Sequence, residues 1–257
     1  MNEVKQEWEK TQLHWDDKAI IQRHKVPKSV IFNWRKINRL LQDICFEKKN
    51  LQGKNSIIVD IGCGSGKFFD YLESAVDRYI GIDPSDKMLL DAPTSKGFFI
   101  RGTGENVSIK DDVADIVLLK SVLDQCFSPS QVISESKRIL KNGGWTIISL
   151  SNRDSYYSFI RRIYNRLRGH KGDHVFETSH LFYFSMAEVE DMLKKDEFNI
   201  IQRKCVGYFV FPRLVEWVIP NFILPKLIEF VDKIGSFILP QKGGAFIIIG
   251  QKLEVNN

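Results

Sequence analysis

The sequence predicts an α/β fold built on a mostly parallel sheet with helices on both faces. Three observations predict it. From Ser56 onward, short β-branched runs alternate with segments of helical spacing, which suits βαβ units with right-handed crossovers. The first run passes into a glycine-rich turn, IIVDIGCGSGKF over 57–68. The second ends on a carboxylate, Asp83, 23 residues after Asp60.

The elements follow in order. Apolar residues Ile37, Leu40, Leu41 and Ile44 recur at helical spacing, so a helix over 29–46 is expected, ending before Gly53. Ser56–Ile61 reads as a buried strand and Phe68–Ala75 as an amphipathic helix. Tyr79–Ile82, Gly97–Ile100 and Ala114–Leu119 read as strands, with a helix at Ser85–Ala92. A helix over Ser130–Leu140 is stopped by Asn142-Gly143-Gly144, and Trp145–Leu150 is the next strand. Ser185–Lys195 is helical, and Asn199–Tyr208 and Ala245–Leu253 are late strands. The expected organisation is a helical N-terminal segment, 1–52, followed by an α/β domain, 53–257, with inserts at 153–184 and 209–240.

Composition narrows the function. The 257 residues are 43% hydrophobic, enough for a sizeable core. Lys plus Arg exceed Asp plus Glu by 37 to 32, a net charge of +5 too small to argue for nucleic acid by itself. Cys45, Cys63, Cys126 and Cys205 form no Cys-x-x-Cys pair, so neither a metal site nor a disulfide framework is expected. The charged start, MNEVKQEWEK, lacks the apolar core of a signal peptide, and a cytoplasmic location is expected.

The chemistry concentrates at the glycine turn. Gly62, Gly64 and Gly66 follow Asp60 at alternate positions. Residues without Cβ let the backbone turn tightly against a ligand and offer it N–H groups. Asp83, at the ligand edge of the next strand, can accept both hydroxyl protons of a ribose. The nicotinamide fingerprint is Gly-x-Gly-x-x-Gly, whereas this turn reads Gly-x-Gly-x-Gly, which argues against a dinucleotide oxidoreductase.

That segment resembles motif I of the class I S-adenosylmethionine-dependent methyltransferases, in their small-molecule and quinone-type branch. The resemblance runs from about Trp15 to the last strand. GIDPSDKML is similar to the family's second motif, and GTGENVSIKDDVADIVLLKSVLDQC to its adenine loop, fourth strand and the segment beyond. SESKRILKNGGWTIISLSN and HLFYFSMAEVEDMLKKDEFNIIQ resemble its later helices and strands. The resemblance implies a Rossmann-like seven-stranded sheet with one antiparallel strand. It implies S-adenosylmethionine as cofactor and S-adenosylhomocysteine as product. Asp60, Gly62, Cys63, Gly64 and Gly66 would surround the methionine end. Asp83 and Pro84 would hold the ribose and Met88 would pack near the adenine. Thr103, Gly104 and Glu105 would border the adenine ring, and Lys120 would contact the methionine moiety. Many relatives have Asp where Thr103 stands, which shifts adenine recognition toward backbone groups or Glu105.

The acceptor is less legible. Methyl transfer needs positioning and desolvation above all, and a base only where the acceptor must lose a proton. His180 and Asp124 are the candidates for that base, each weighed against a purely structural role. The segment 153–171 carries Arg153, Arg161, Arg162, Arg166, Arg168 and Lys171 against the single acid Asp154, interleaved with aromatics. It reads as an amphipathic surface helix or as a lid for an anionic acceptor or lipid headgroup. The apolar stretch 209–240 is expected to bury one face against the domain, a second copy or a lipid-like acceptor. These features favour a hydrophobic or anionic small-molecule acceptor, with peripheral membrane contact and a homodimer as further expectations. The alternatives are an RNA methyltransferase and a non-catalytic cofactor-binding protein.

Overall fold

The structure is a computed structural model that describes residues 28–52, 55–72, 76–93, 97–167, 181–208, 218–220 and 222–253. A long helix α1 (Lys28–Gln52) precedes β1 (Ile57–Ile61), α2 (Phe69–Leu72), β2 (Arg78–Asp83), α3 (Asp86–Leu90) and β3 (Phe98–Arg101). Then come β4 (Ala114–Lys120), α4 (Pro129–Ile139), β5 (Leu140–Ser151), α5 (Tyr156–Leu167) and α6 (Met186–Lys195). The chain closes with β6 (Phe198–Val206), α7 (Leu224–Ile238) and β7 (Ala245–Lys252).

The seven strands lie in the order β3-β2-β1-β4-β5-β7-β6. β7 runs antiparallel to both β5 and β6, and the other pairs are parallel. The strand order reverses between β1 and β4, and ligands of such sheets bind outside the carboxyl ends at that point. Alternation along each strand feeds two cores. Ile58, Ile116, Leu118, Ile147 and Ile249 point to one face, where Leu41, Ile44 and Cys45 of α1 cover them. Val59, Val117, Leu119, Ile148 and Ile248 point to the other, under Val132 and Ile133 of α4 and Val189 and Leu193 of α6.

Three elements differ from the sequence expectation. β5 begins at Leu140, which pairs with Ala114, and runs through the Asn-Gly-Gly turn with a register shift between Ala114 and Ile116. Lys141 holds this irregular start, donating to both oxygens of buried Asp115 at 2.8 Å. Helices α5 and α7 carry the larger difference. The amphipathic reading gave each a solvated polar face, yet Phe159, Ile160, Ile163, Phe230, Ile234 and Phe237 are exposed while Ser158 and Asp232 are buried. Asp232 can lie inside because Lys36 Nζ donates to it at 2.6 Å and the Tyr208 N–H at 2.7 Å. The parts of the expected inserts at 168–180 and 209–217 lie outside the described residues.

Candidate active site

The residues at the carboxyl ends of β1, β2 and β4 fold over one crevice of about 220 Å³. Gly62, Gly64, Asp83, Pro84, Met88, Thr103, Gly104 and Glu105 line it, together with Ser121, Val122, Gln125 and Cys126. Gly64 has φ +55, and a Cβ built there would meet nothing within 4 Å, so its Cα borders open space. Gly62, at φ +74, serves packing instead, since a Cβ there would overlap Val122.

The loop's amides do not face the crevice as expected. The Gly62 and Cys63 N–H groups donate to the Ile82 carbonyl at 2.7 and 3.1 Å, and the Gly64 N–H donates to Asp83 Oδ2 at 2.8 Å. The Gly66 N–H closes on the Cys63 carbonyl. This loop binds itself to the end of β2 and offers no nest of amides to a pyrophosphate. The Asp83 carboxylate is the hinge of that arrangement, because Oδ1 accepts from the Ser85 N–H at 2.9 Å. The residue also lines the crevice wall.

Four of the expected residues sit outside the lining. Asp60 is buried behind the loop and accepts a 2.6 Å hydrogen bond from the Tyr79 hydroxyl. Burial raises its carboxyl to about 6, against the lowering pull of Tyr79 and Lys120. Burial also pushes the Tyr79 phenol up, which keeps it a donor. Among the described residues no group donates to Asp60 Oδ1. Gly66 packs against Phe99 and Pro93. Cys63 packs on Gly81, and burial pushes its thiol up, away from nucleophilic use. Lys120 places its ammonium 5.2 Å from the centroid of the Phe68 ring.

The loop after β3 is braced from below. Arg138 donates to the carbonyls of Val107 and Ile109 at 2.8 Å and pairs with Glu135 and Asp111. Glu105 Oε1 accepts from the N–H groups of Phe127 and Ser128 at 2.7 and 3.2 Å, so this carboxylate pins the entry to α4 as well as lining the crevice. Asp124 is buried, and its carbonyl accepts from the N–H groups of Leu181 and Phe182, drawing 181–184 beside the segment after β4. There the Phe182 and Phe184 rings stack at 5.8 Å. His180 lies outside the described residues, as do the other four histidines. Ser121, Val122, Gln125 and Cys126 were missed by sequence reasoning. Their only signal was position, directly after a strand that ends at the crevice.

Residues 59–148, which include the end of β1, the glycine loop and β4, match the family described as Methyltransferase domain. The segment 59–148 carries a methyltransferase domain. An uncharacterised protein of Methanocaldococcus jannaschii is 32% identical over 56% of this chain and 65% of its own length. A ubiquinone biosynthesis O-methyltransferase of Hydrogenovibrio crunogenus is 29% identical over 50% of this chain. The aligned part spans only 55% of that relative's length. A solved S-adenosylmethionine-dependent methyltransferase of Thermotoga maritima, 23% identical, shares the fold of the methyltransferase domain with a TM-score of 0.54. That likeness covers 85% of this chain and 92% of the other.

Three observations on the crevice fit S-adenosylmethionine, the donor in the name of the Thermotoga protein. The open space over Gly64 admits a ligand against bare backbone. A carboxylate, Asp83, lines the crevice at the end of β2 as an acceptor for hydroxyls, and the self-satisfied loop suits a ligand without phosphates.

Proposed function

We propose that this protein transfers the methyl group of S-adenosylmethionine to an oxygen or nitrogen atom of a small, hydrophobic acceptor that is lipid-, quinone- or glycan-linked. The observation that carries the reading is the pairing of Asp83 with the glycine loop at one crevice, with the stacked aromatics Phe182 and Phe184 drawn to Asp124 in the segment after β4. The name of the Hydrogenovibrio relative, a ubiquinone biosynthesis O-methyltransferase, supports an acceptor of that kind.

When bound, S-adenosylmethionine supplies an electrophilic methyl on a sulfonium, so the protein's work is alignment and exclusion of water. Asp83 receives the ribose hydroxyls, Pro84 and Met88 flank the nucleoside, and Thr103, Gly104 and Glu105 bound the adenine. Asp60, with an Oδ1 that no described residue fills, and Lys120 set the electrostatics of the methionine end, behind Gly62, Cys63, Gly64 and Gly66. Phe182 and Phe184 present an apolar wall to the acceptor. An O- or N-acceptor gives up a proton as it gains the methyl, and Asp124 and His180 are the groups proposed to take it. A cytoplasmic enzyme, organised as the segment 1–52 and the domain 53–257, completes the reading.

The test is incubation of the full chain with isotopically methyl-labelled S-adenosylmethionine and a cell extract, followed by mass spectrometry. The expected result is label in an extractable small molecule, with S-adenosylhomocysteine formed in equal amount. Label confined to RNA, or no label with any extract, would remove the assignment.

A further inference from the structure

We infer that the outward faces of α5 and α7 form a docking surface for a bilayer that carries anionic headgroups, placed beside the mouth of the crevice. Both helices leave an apolar stripe exposed, which an ordinary surface helix turns inward. In α5, Leu167 is 82% exposed in line with Phe159, Ile160 and Ile163, whereas Ser158 is 1% exposed. Its hydroxyl donates to the Asn152 carbonyl and accepts from Ser155. In α7, Phe237 is 89% exposed in line with Phe230 and Ile234, while Asp232 is 4% exposed and paired with Lys36. A chain that buries serine and aspartate while exposing three phenylalanines has its apolar stripes committed to something outside the domain.

Charge selects the occupant. Lys226 and Lys233 stand four residues ahead of Phe230 and Phe237, so each exposed ammonium neighbours an exposed ring on one side of the helix. In α5, Arg162 and Arg166 stand three residues after Phe159 and Ile163. Aromatic and aliphatic anchors bordered by Lys and Arg are the composition of helices that lie in a membrane interface, where cations snorkel to anionic headgroups. Among the described residues no helix is long and apolar enough to cross a membrane, so the surface lies on a bilayer rather than in one.

The start of α5 and the turn after α7 are joined. The turn after α7 supplies the Lys242 carbonyl to the Tyr156 N–H at the start of α5, and Asn152 Nδ2 clamps the carbonyls of Gln241 and Gly243 at 2.9 Å. This junction follows the carboxyl end of β5, on the sheet edge that holds the crevice. Combined with the proposed activity, on which this step rests, the placement lets an acceptor pass from the bilayer to the methyl donor.

Co-sedimentation of the full chain with vesicles tests it, using phosphatidylcholine alone and phosphatidylcholine mixed with phosphatidylglycerol. The wild type should pellet with the mixed vesicles and far less with the neutral ones. F230S combined with F237S should lower the vesicle-bound partition about tenfold or more. K226E combined with K233E should abolish the preference for the anionic vesicles. Affinity for S-adenosylhomocysteine and the circular dichroism spectrum should match wild type in both variants. Absence of wild-type vesicle binding, or undiminished binding by the phenylalanine variant, would overturn the docking surface. A wild-type dimer that F230S with F237S dissociates while vesicle binding persists would assign the face to a second copy and overturn it equally. Vesicle binding without any affinity for S-adenosylhomocysteine would instead remove the proposed activity and leave the docking surface standing.

Discussion

Asp60 shows how much a single carboxylate can mean in this fold. It ends β1 under full burial, held by the Tyr79 hydroxyl, with its carboxyl raised from 3.8 to about 6. A raised acid keeps its proton longer when folded than when unfolded. The stability from that proton is fully present below about 3.8 and lost as pH rises through about 6, a swing of about 3 kcal/mol. Asp60→Asn keeps an acceptor for Tyr79 and removes the titration. Its stability relative to wild type should therefore rise between about pH 4 and pH 7 by up to about 3 kcal/mol in urea melts. A pH-independent difference would contradict the burial argument. Asp83 makes a different demand, because its oxygens hold the amides of Gly64 and Ser85 as well as facing the crevice. Asp83→Asn should weaken S-adenosylhomocysteine binding about ten- to hundredfold by calorimetry, since charged hydrogen bonds contribute about 1.5–3 kcal/mol. Unaltered affinity would end the ribose assignment.

Helices and strands are held here by polar contacts between remote parts of the chain. Asn152 is buried at the end of β5, donates to two carbonyls of the turn before β7 and accepts from the Asp154 N–H. Asn152→Ala would leave two carbonyls and one amide without this partner and should destabilise the protein by about 2–3 kcal/mol in chemical denaturation. An effect near zero would mean the turn is held by its backbone alone. Helix α7 depends on α1 in the same way. Among the described residues, Leu224 and Ile228 form its buried apolar contact, beside Phe32, so the Lys36–Asp232 pair carries much of the docking. Asp232→Ala should destabilise by about 3 kcal/mol, because Lys36 and the Tyr208 amide both lose their acceptor. Asp232 also explains why α7 was misread in the sequence. Its charge fits a solvated face by spacing, and the Lys36 that neutralises it lies 196 residues earlier.

Taken together, the sheet and its crevice predict a preference among ligands. A loop whose amides are bound to β2 has little to offer a pyrophosphate, whereas Asp83 and the space over Gly64 suit a nucleoside without one. S-adenosylhomocysteine should raise the thermal midpoint, with about 2.7 kcal/mol of added stability at a hundred times its dissociation constant, and NAD should not. A larger shift with NAD would reverse the reading. The chain's own local patterns were enough to reveal the alternating strands and helices, the glycine turn and the acid ending β2. Those signals lie within a few residues of each other, where side-chain period and the absence of a Cβ act directly on the backbone. The engagement of the loop amides, the double duty of Asp83 and Glu105 and the outward stripes of α5 and α7 could be settled only by assembly. Each depends on which groups, distant along the chain, reach one another to satisfy a buried charge or amide. A linear pattern carries hydrophobicity and spacing, but not the partner that makes a buried aspartate tolerable.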